Sequence, residues 1–199
     1  MPVSRREGRL TIGLYNSYDR NRFTEAHRRT LARAGAVAAA FHCNLVTFAF
    51  PYHLMDPEDA SLAKDPRRIA ARVARSTTIG AAGTYFTDLA EAGRFHVEGD
   101  PGKGFPPQYG TPVLATSRVE GAASATGEAL ASRLSSGESL LLVVGIGPHG
   151  FPRSLEKVVR DRWDLTGRGM SLETCTALSA APAILTTHLL HMRDLSHGA

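Results

Sequence analysis

The chain has no uninterrupted apolar run near the ~20 residues that a membrane-spanning helix needs, and Met1–Arg9, MPVSRREGR, lacks the apolar stretch of a secretory leader. A cytoplasmic protein without a membrane partner is expected. Cysteine is scarce: Cys43 and Cys175 stand apart with no Cys-x-x-Cys spacing, which argues against both a disulfide framework and a zinc site. Both thiols are expected to be buried. The histidines are scattered without paired carboxylates. His188 and His191 share a helix face, but the glutamate of a His-Glu-x-x-His pair and a third ligand are missing, so no metal is expected. His149, between two glycines, is a candidate wall residue of whatever those glycines hold.

What is present fits one globular unit. With 199 residues and 43% hydrophobic content the chain can bury a sizeable core. We read residues 1–199 as a single domain with an irregular excursion at about 51–107. The formal net charge is +4, and nearly all the cations are arginine, whose planar fork suits phosphate. Arg5, Arg6 and Arg9 precede the first strand, and Arg20, Arg22, Arg28, Arg29 and Arg33 crowd the first helix. Such a face is the electrostatic footprint of a nucleic-acid binder, or a solvated helix in an arginine-rich chain.

Hydrophobic period and turn residues give an alternating α/β order. Strands are expected at 10–15, 45–50, 111–116 and 139–144. Helices are expected from residue 21 or 22 to 34, ended by Gly35, then at 66–75, 84–92, 122–134 and 154–162, and from a cap at Ser171 to about 192. Residues 36–41 lead toward the second strand, 77–83 form a small-residue stretch, and no strand is expected at 160–166. The alternation implies an α/β fold: a mostly parallel sheet with helices on both faces and a ligand beyond the C-terminal strand ends. Three loops reach that edge: Ala115–Arg118, Gly145–Gly150 and Leu165–Leu172.

The middle loop carries Gly145-x-Gly147-x-x-Gly150 behind an apolar strand, which by letter is a dinucleotide fingerprint. A Rossmann-type enzyme using NAD would place that fingerprint early and close a second strand with an acid about 20 residues later. Here only 49 residues follow Gly150. A tight turn without ligand would need fewer glycines.

Three segments in order point elsewhere. Asp19-Arg-Asn21 is followed by Arg29-Thr30 and Gly35-Ala36; Leu142-Val-Val-Gly145 by Gly150-Phe151; and Ser171-Leu172 by Cys175 and Ala177. Together they resemble the SPOUT, or α/β-knot, methyltransferase superfamily, in a divergent archaeal-type branch. The resemblance implies a C-terminal trefoil knot that binds S-adenosylmethionine, methylation of RNA (tRNA or rRNA, on a ribose 2′-oxygen or a base nitrogen), and a homodimer packed through the last helix. It makes Thr116, Ser117, Gly145, Ile146, Gly147, Gly150, Leu165, Met170, Ser171, Leu172 and Cys175 candidate cofactor contacts. Arg29 takes the place of the family's catalytic or phosphate-orienting arginine, with Arg28 as a competitor after a one-residue insertion. Asp19, Asn21, Arg22, Arg28 and Arg33 become candidate RNA contacts.

Two departures bear on mechanism. Relatives that methylate ribose carry Glu where this chain has Gly147, and Asn where it has Glu173. Glu173 is a candidate catalytic base, or an acid favoured in the first turn of a helix. Asp19 and Asn21 either orient substrate or cap a helix. Tyr15, Tyr18 and Phe23 lie near the arginines and could stack on an unpaired base, although Phe23 also suits the apolar helix face. The departures leave a knot-fold RNA-binding protein without catalysis as the alternative.

Overall fold

The computed structural model describes residues 7–76, 82–119 and 123–197. Arg5, Arg6, most of the small-residue stretch at 77–83 and residue 122, where a helix was expected to start, lie outside them. The elements are β1 (Leu10–Asn16), α1 (Glu25–Ala40), β2 (Asn44–Phe48), α2 (Pro66–Ser76), α3 (Ala82–Glu91), β3 (Phe95–Glu98), β4 (Thr111–Ala115), β5 (Ala123–Ser124), α4 (Gly127–Ser135), β6 (Leu140–Ile146), α5 (Arg153–Val158), β7 (Asp161–Trp163) and α6 (Thr174–His197). The seven strands form one sheet in the order β3-β2-β1-β6-β4-β7-β5. Every ladder among them is parallel.

Strand alternation divides the core. Ile12 and Leu14 of β1 and Val144 and Ile146 of β6 face one layer, with Leu31, Ala34 and Ala38 of α1, Ile69 and Val73 of α2, Phe86 of α3 and Leu178 of α6. Further along the same face, Leu140 and Leu142 meet Leu130 and Leu134 of α4 and Ala181 and Leu185 of α6. Tyr15, Leu141 and Val143 point the other way, toward Leu155 of α5, Tyr109 and Phe151. The helices are thus unequally shared, five on one face and α5 on the other. Each fully buried Leu or Ile contributes roughly 1.5–3 kcal/mol.

Several boundaries differ from those read in the sequence. Gly35 does not end α1; the helix continues to Ala40, so residues 36–41 are not strand-like. A Cβ on Gly35 would lie 2.5 Å from the Phe86 ring, so this glycine serves the close packing of α1 on α3. The helix begins at Glu25 rather than at residue 21 or 22, after the cap residue Thr24. β3 was not foreseen: four residues between a helix and a glycine-rich loop carry little period-2 signal. The same holds for β7, which contradicts the expectation of no strand at 160–166. Its three residues form a strand because β4 and β5 pair with it on both sides and Trp163 is buried, 3% exposed. α6 starts at Thr174, and Ser171 does not cap it.

Among the described residues, no helix is long and apolar enough to cross a membrane, and no group of three or more His, Cys, Asp or Glu is arranged to hold a metal ion.

Candidate functional site

β1 and β6 are adjacent and in register to their ends, Asn16 beside Ile146, so their exit loops start together at the C-terminal edge of the sheet. The β6 loop turns through Gly147 at φ 108° and Gly150 at φ 65°, conformations that suit glycine. The loop is tied down at both flanks. The amide and hydroxyl of Ser17 both donate to the Ile146 carbonyl, at 2.9 and 2.8 Å, and the Thr174 hydroxyl donates to the Gly145 carbonyl at 3.0 Å.

Two further loops converge on it. Thr116 follows β4 and its amide donates to the Trp163 carbonyl at 3.0 Å, while its hydroxyl accepts from the Arg118 amide at 3.1 Å. In the loop after β7, the Asp164 carboxylate accepts from the Thr166 amide and hydroxyl and from the Gly169 amide at 2.6–3.0 Å. Burial pushes this carboxyl up, but those donors outweigh it and hold the carboxyl below its ordinary range. Thr166 in turn accepts from the amides of Arg168 and Met170. The loop is therefore shaped by its own hydrogen bonds, with Gly167 and Gly169 at positive φ.

The three loops enclose a cleft of about 210 Å³ lined by Thr116, Ser117, Gly145, Gly147, Gly150, Leu165, Met170, Ser171 and Leu172 of the expected cofactor contacts. Ile146 is not on it; that side chain is 1% exposed and packs in the core. Nor is Cys175, whose Sγ accepts from the Arg33 guanidinium at 3.4 Å. Cys43 is buried as expected, whereas Cys175 is half-buried, a correction that follows from its place in the first turn of α6. Sequence reasoning missed Arg118, Phe151, Glu156, Asp164 and Thr174 on the cleft walls. Asp164 had a signal, since it stands 19 residues after Gly145 at the end of β7. The Rossmann arrangement still fails, because β4 lies between β6 and β7 and the glycine strand and the acid strand are not neighbours.

The candidate RNA contacts do not line the cleft. Arg29 is exposed and pairs with Glu25 at 3.0 Å across one helical turn. Arg28 stands 5.2 Å over the Phe23 ring. Asp19 accepts from the Asn21 amide at 2.9 Å, which makes a turn before α1 and not its cap, and Arg22 is exposed. Glu173 accepts from the amides of Cys175 and Thr176 at 2.9 and 3.1 Å. Partial burial raises that carboxyl, and these amides and the nearby Arg33 more than offset it. Its carboxylate thus satisfies the otherwise unpartnered donors at the start of α6.

A second construction closes the β1 side. His27 is fully buried; its Nδ1 accepts from the Thr24 amide at 3.0 Å, so its Nε2 is the protonated nitrogen and donates to Asn16 Oδ1 at 3.1 Å. Asn16 passes the chain on, its Nδ2 donating to the Ala49 carbonyl at 3.0 Å. Rings pack around the imidazole: Phe23 stacks on it at 5.2 Å, Phe50 meets it edge-on, and Tyr18 lies 5.5 Å away. Burial first, and the Arg28 charge second, push the His27 pKa down to about 4.

The family model described as protein of unknown function (DUF531) matches residues 10–186. An uncharacterized protein of Methanocaldococcus jannaschii is 36% identical over 177 residues, covering 89% of this chain and 93% of the relative. Among solved structures, the "probable methyltransferase" of Bordetella pertussis Tohama I superposes with a TM-score of 0.59 at 15% identity, over 92% of this chain and 96% of that one. The TrmH/SpoU tRNA modifying enzyme of A. aeolicus gives 0.53 at 11% identity, over 97% and 81%. These similarities show the fold of SpoU/TrmH-type methyltransferases, which belong to the SPOUT class named by the sequence resemblance.

Proposed function

Since the chain belongs to the DUF531 family of proteins of unknown function, its activity has to be argued from its site, and we propose that it is an S-adenosylmethionine-dependent RNA methyltransferase. The observation that carries this reading is Gly145. It has no positive φ, and a Cβ built on it would meet nothing closer than 3.7 Å, so neither turn geometry nor packing requires a glycine there. What its bareness leaves is uncovered backbone facing a cleft bounded by three loops. The mixed lining, with apolar Leu165, Leu172 and Ala177 and polar Thr116, Ser117 and Thr174, fits an adenosine, whose faces are apolar and whose edges and ribose hydroxyls are polar. Glu156 and Asp164 add negative charge suited to a cationic sulfonium and amine.

When bound, S-adenosylmethionine supplies an electrophilic methyl group. The chain's part is to position the acceptor and to take a proton from the attacking oxygen or nitrogen. Arg29, on the exposed start of α1, holds an RNA phosphate. Glu156 is the carboxylate on the cleft wall able to accept the proton, while Glu173 is occupied with the start of α6. A trefoil knot, the tRNA or rRNA substrate, a homodimer through α6 and a cytoplasmic location complete the reading. Leu178, Ala181 and Leu185 of α6 are buried within the chain itself, which leaves the exposed Leu190 and Leu195 for a partner copy.

Isothermal calorimetry tests the proposal: S-adenosylmethionine binds at micromolar levels, and Gly145→Val folds normally but binds at least about tenfold more weakly, because the new side chain stands in the cleft. No heat with wild-type protein of intact fold removes the enzyme reading. A second reading, an RNA-binding protein without catalysis, is favoured by the absence of a carboxylate at Gly147 and by the occupied Glu173. It predicts RNA binding with no methyl transfer from labelled cofactor.

A further inference from the structure

Beside the cofactor cleft lies a second cavity, of about 200 Å³, between the exit loops of β1 and β6. Its walls include Tyr15, Tyr18, Arg20 and His149, and it shares Gly150 and Phe151 with the cleft. We propose that this cavity receives an unpaired RNA base stacked on the Tyr18 ring, next to the methyl donor. The inference rests on the methyltransferase reading and names the seat of its acceptor.

Four observations carry it. Tyr18 is 37% exposed on the wall of the cavity, and its position is fixed rather than free. Its amide donates to Asn16 Oδ1 at 3.0 Å, and its ring lies 5.5 Å from that of buried His27. Gly147 makes room for it: a Cβ there would come within 3.1 Å of the Tyr18 ring and 3.0 Å of Ser17 Oγ. The residue whose family counterpart is an acid is thus a glycine where the tyrosine leans on the cofactor loop. Arg20 stands at the same cavity, held by Asp100 at 2.6 Å and by the Tyr15 hydroxyl at 3.3 Å, so its remaining N–H groups are aimed before any ligand arrives. A fixed aromatic face with a fixed guanidinium beside it is what a base and its phosphate require.

The test uses the full chain, methyl-labelled S-adenosylmethionine, and total tRNA and rRNA from a strain lacking the gene. Tyr18→Ala raises the KM for RNA about 10- to 100-fold, the loss expected when one stacking ring is removed, whereas Tyr18→Phe and Tyr18→Trp stay near wild type. Calorimetric affinity for S-adenosylmethionine is unchanged in all three. If the wild type transfers no methyl but binds the RNA, the same order of variants is read in RNA affinity by fluorescence anisotropy. A Tyr18→Ala protein with wild-type KM and RNA affinity overturns the base seat and leaves the methyltransferase reading standing. Wild-type protein that binds neither S-adenosylmethionine nor RNA overturns both.

Discussion

The loops that leave β1 and β6 start from paired residues of neighbouring strands, yet they are built by opposite means. The β6 loop is backbone: glycines at 145, 147 and 150, two of them at positive φ, with few side chains to cover the amides. The β1 loop is side chain: Asn16, His27 and the rings of Tyr18, Phe23 and Phe50 fill the space and satisfy one another. A bare loop can be pressed against a ligand's polar edges, but it has little that holds its own shape. A filled loop holds its shape and can brace its neighbour, here through the two bonds from Ser17 to the Ile146 carbonyl. The contrast implies that losses in the buried His27 network fall on stability, and that bulk added at Gly145, where neither turn nor packing needs a glycine, falls on cofactor binding.

The largest expected break of that contrast is His27→Ala. It empties a fully buried ring site, removes one of the two donors to Asn16 Oδ1 and leaves the Thr24 amide without its Nδ1 acceptor, a combination that costs roughly 3–5 kcal/mol and about 10 °C in Tm by thermal unfolding, while the folded fraction binds cofactor as before. Acid should reach the same site without mutation. A histidine in the unfolded chain takes its proton near 6.5, whereas His27 in the folded protein resists until about 4. The unfolded state therefore binds the extra proton across that window, and stability falls as pH drops from about 6.5 to about 4. The gap of about 2.5 pH units, at about 1.36 kcal/mol each, amounts to about 3 kcal/mol, and none of it is lost above 6.5. Denaturant titrations at pH 7 and pH 4 measure it. A His27→Asn variant whose stability drops as steeply over this window would show that the acid sensitivity lies elsewhere.

Smaller, and on the other loop, is Gly147→Ala. At φ 108° an alanine is strained, and its methyl would press on Tyr18 and Ser17, for a stability cost of about 1–2 kcal/mol. Gly145→Ala meets neither obstacle and leaves Tm nearly unchanged. If the two alanines cost the same, the distinction between a glycine kept for conformation and one kept for a ligand collapses.

That distinction also marks what could be read without coordinates. The β6 loop is legible because glycine spacing behind an apolar strand is a local signal, the loop after β4 follows from the α/β alternation, and the loop at 165–172 is legible only as the stretch before the last helix, since β7 itself is not. The His27 network is not. Its members come from β1, α1 and the turn after β2, and nothing in the sequence tells a buried imidazole from a surface one. Glu173 shows the same limit in miniature: an acid near a helix start reads equally as base or cap, and only the amides of Cys175 and Thr176 decide where its oxygen points. Ile146, alternating with Gly145 and Gly147, enters the candidate cofactor contacts through the resemblance, although strand period 2 turns it into the core.

The smallest expected stability effect belongs to Arg29→Ala, and it sharpens the comparison from outside both loops. Arg29 touches Glu25 on an exposed helix face, and such an i,i+4 pair contributes no more than about 0.5 kcal/mol. The residue is then dispensable to folding, and its position at the open start of α1 matters only if something docks there. An Arg29→Ala protein should melt within about 1 °C of wild type and bind S-adenosylmethionine equally well. Its RNA affinity should fall, and the slope of log affinity against log salt should become shallower by roughly one, the signature of one lost phosphate contact. An unchanged slope would move the phosphate contact to Arg28, which stacks on Phe23 one residue away.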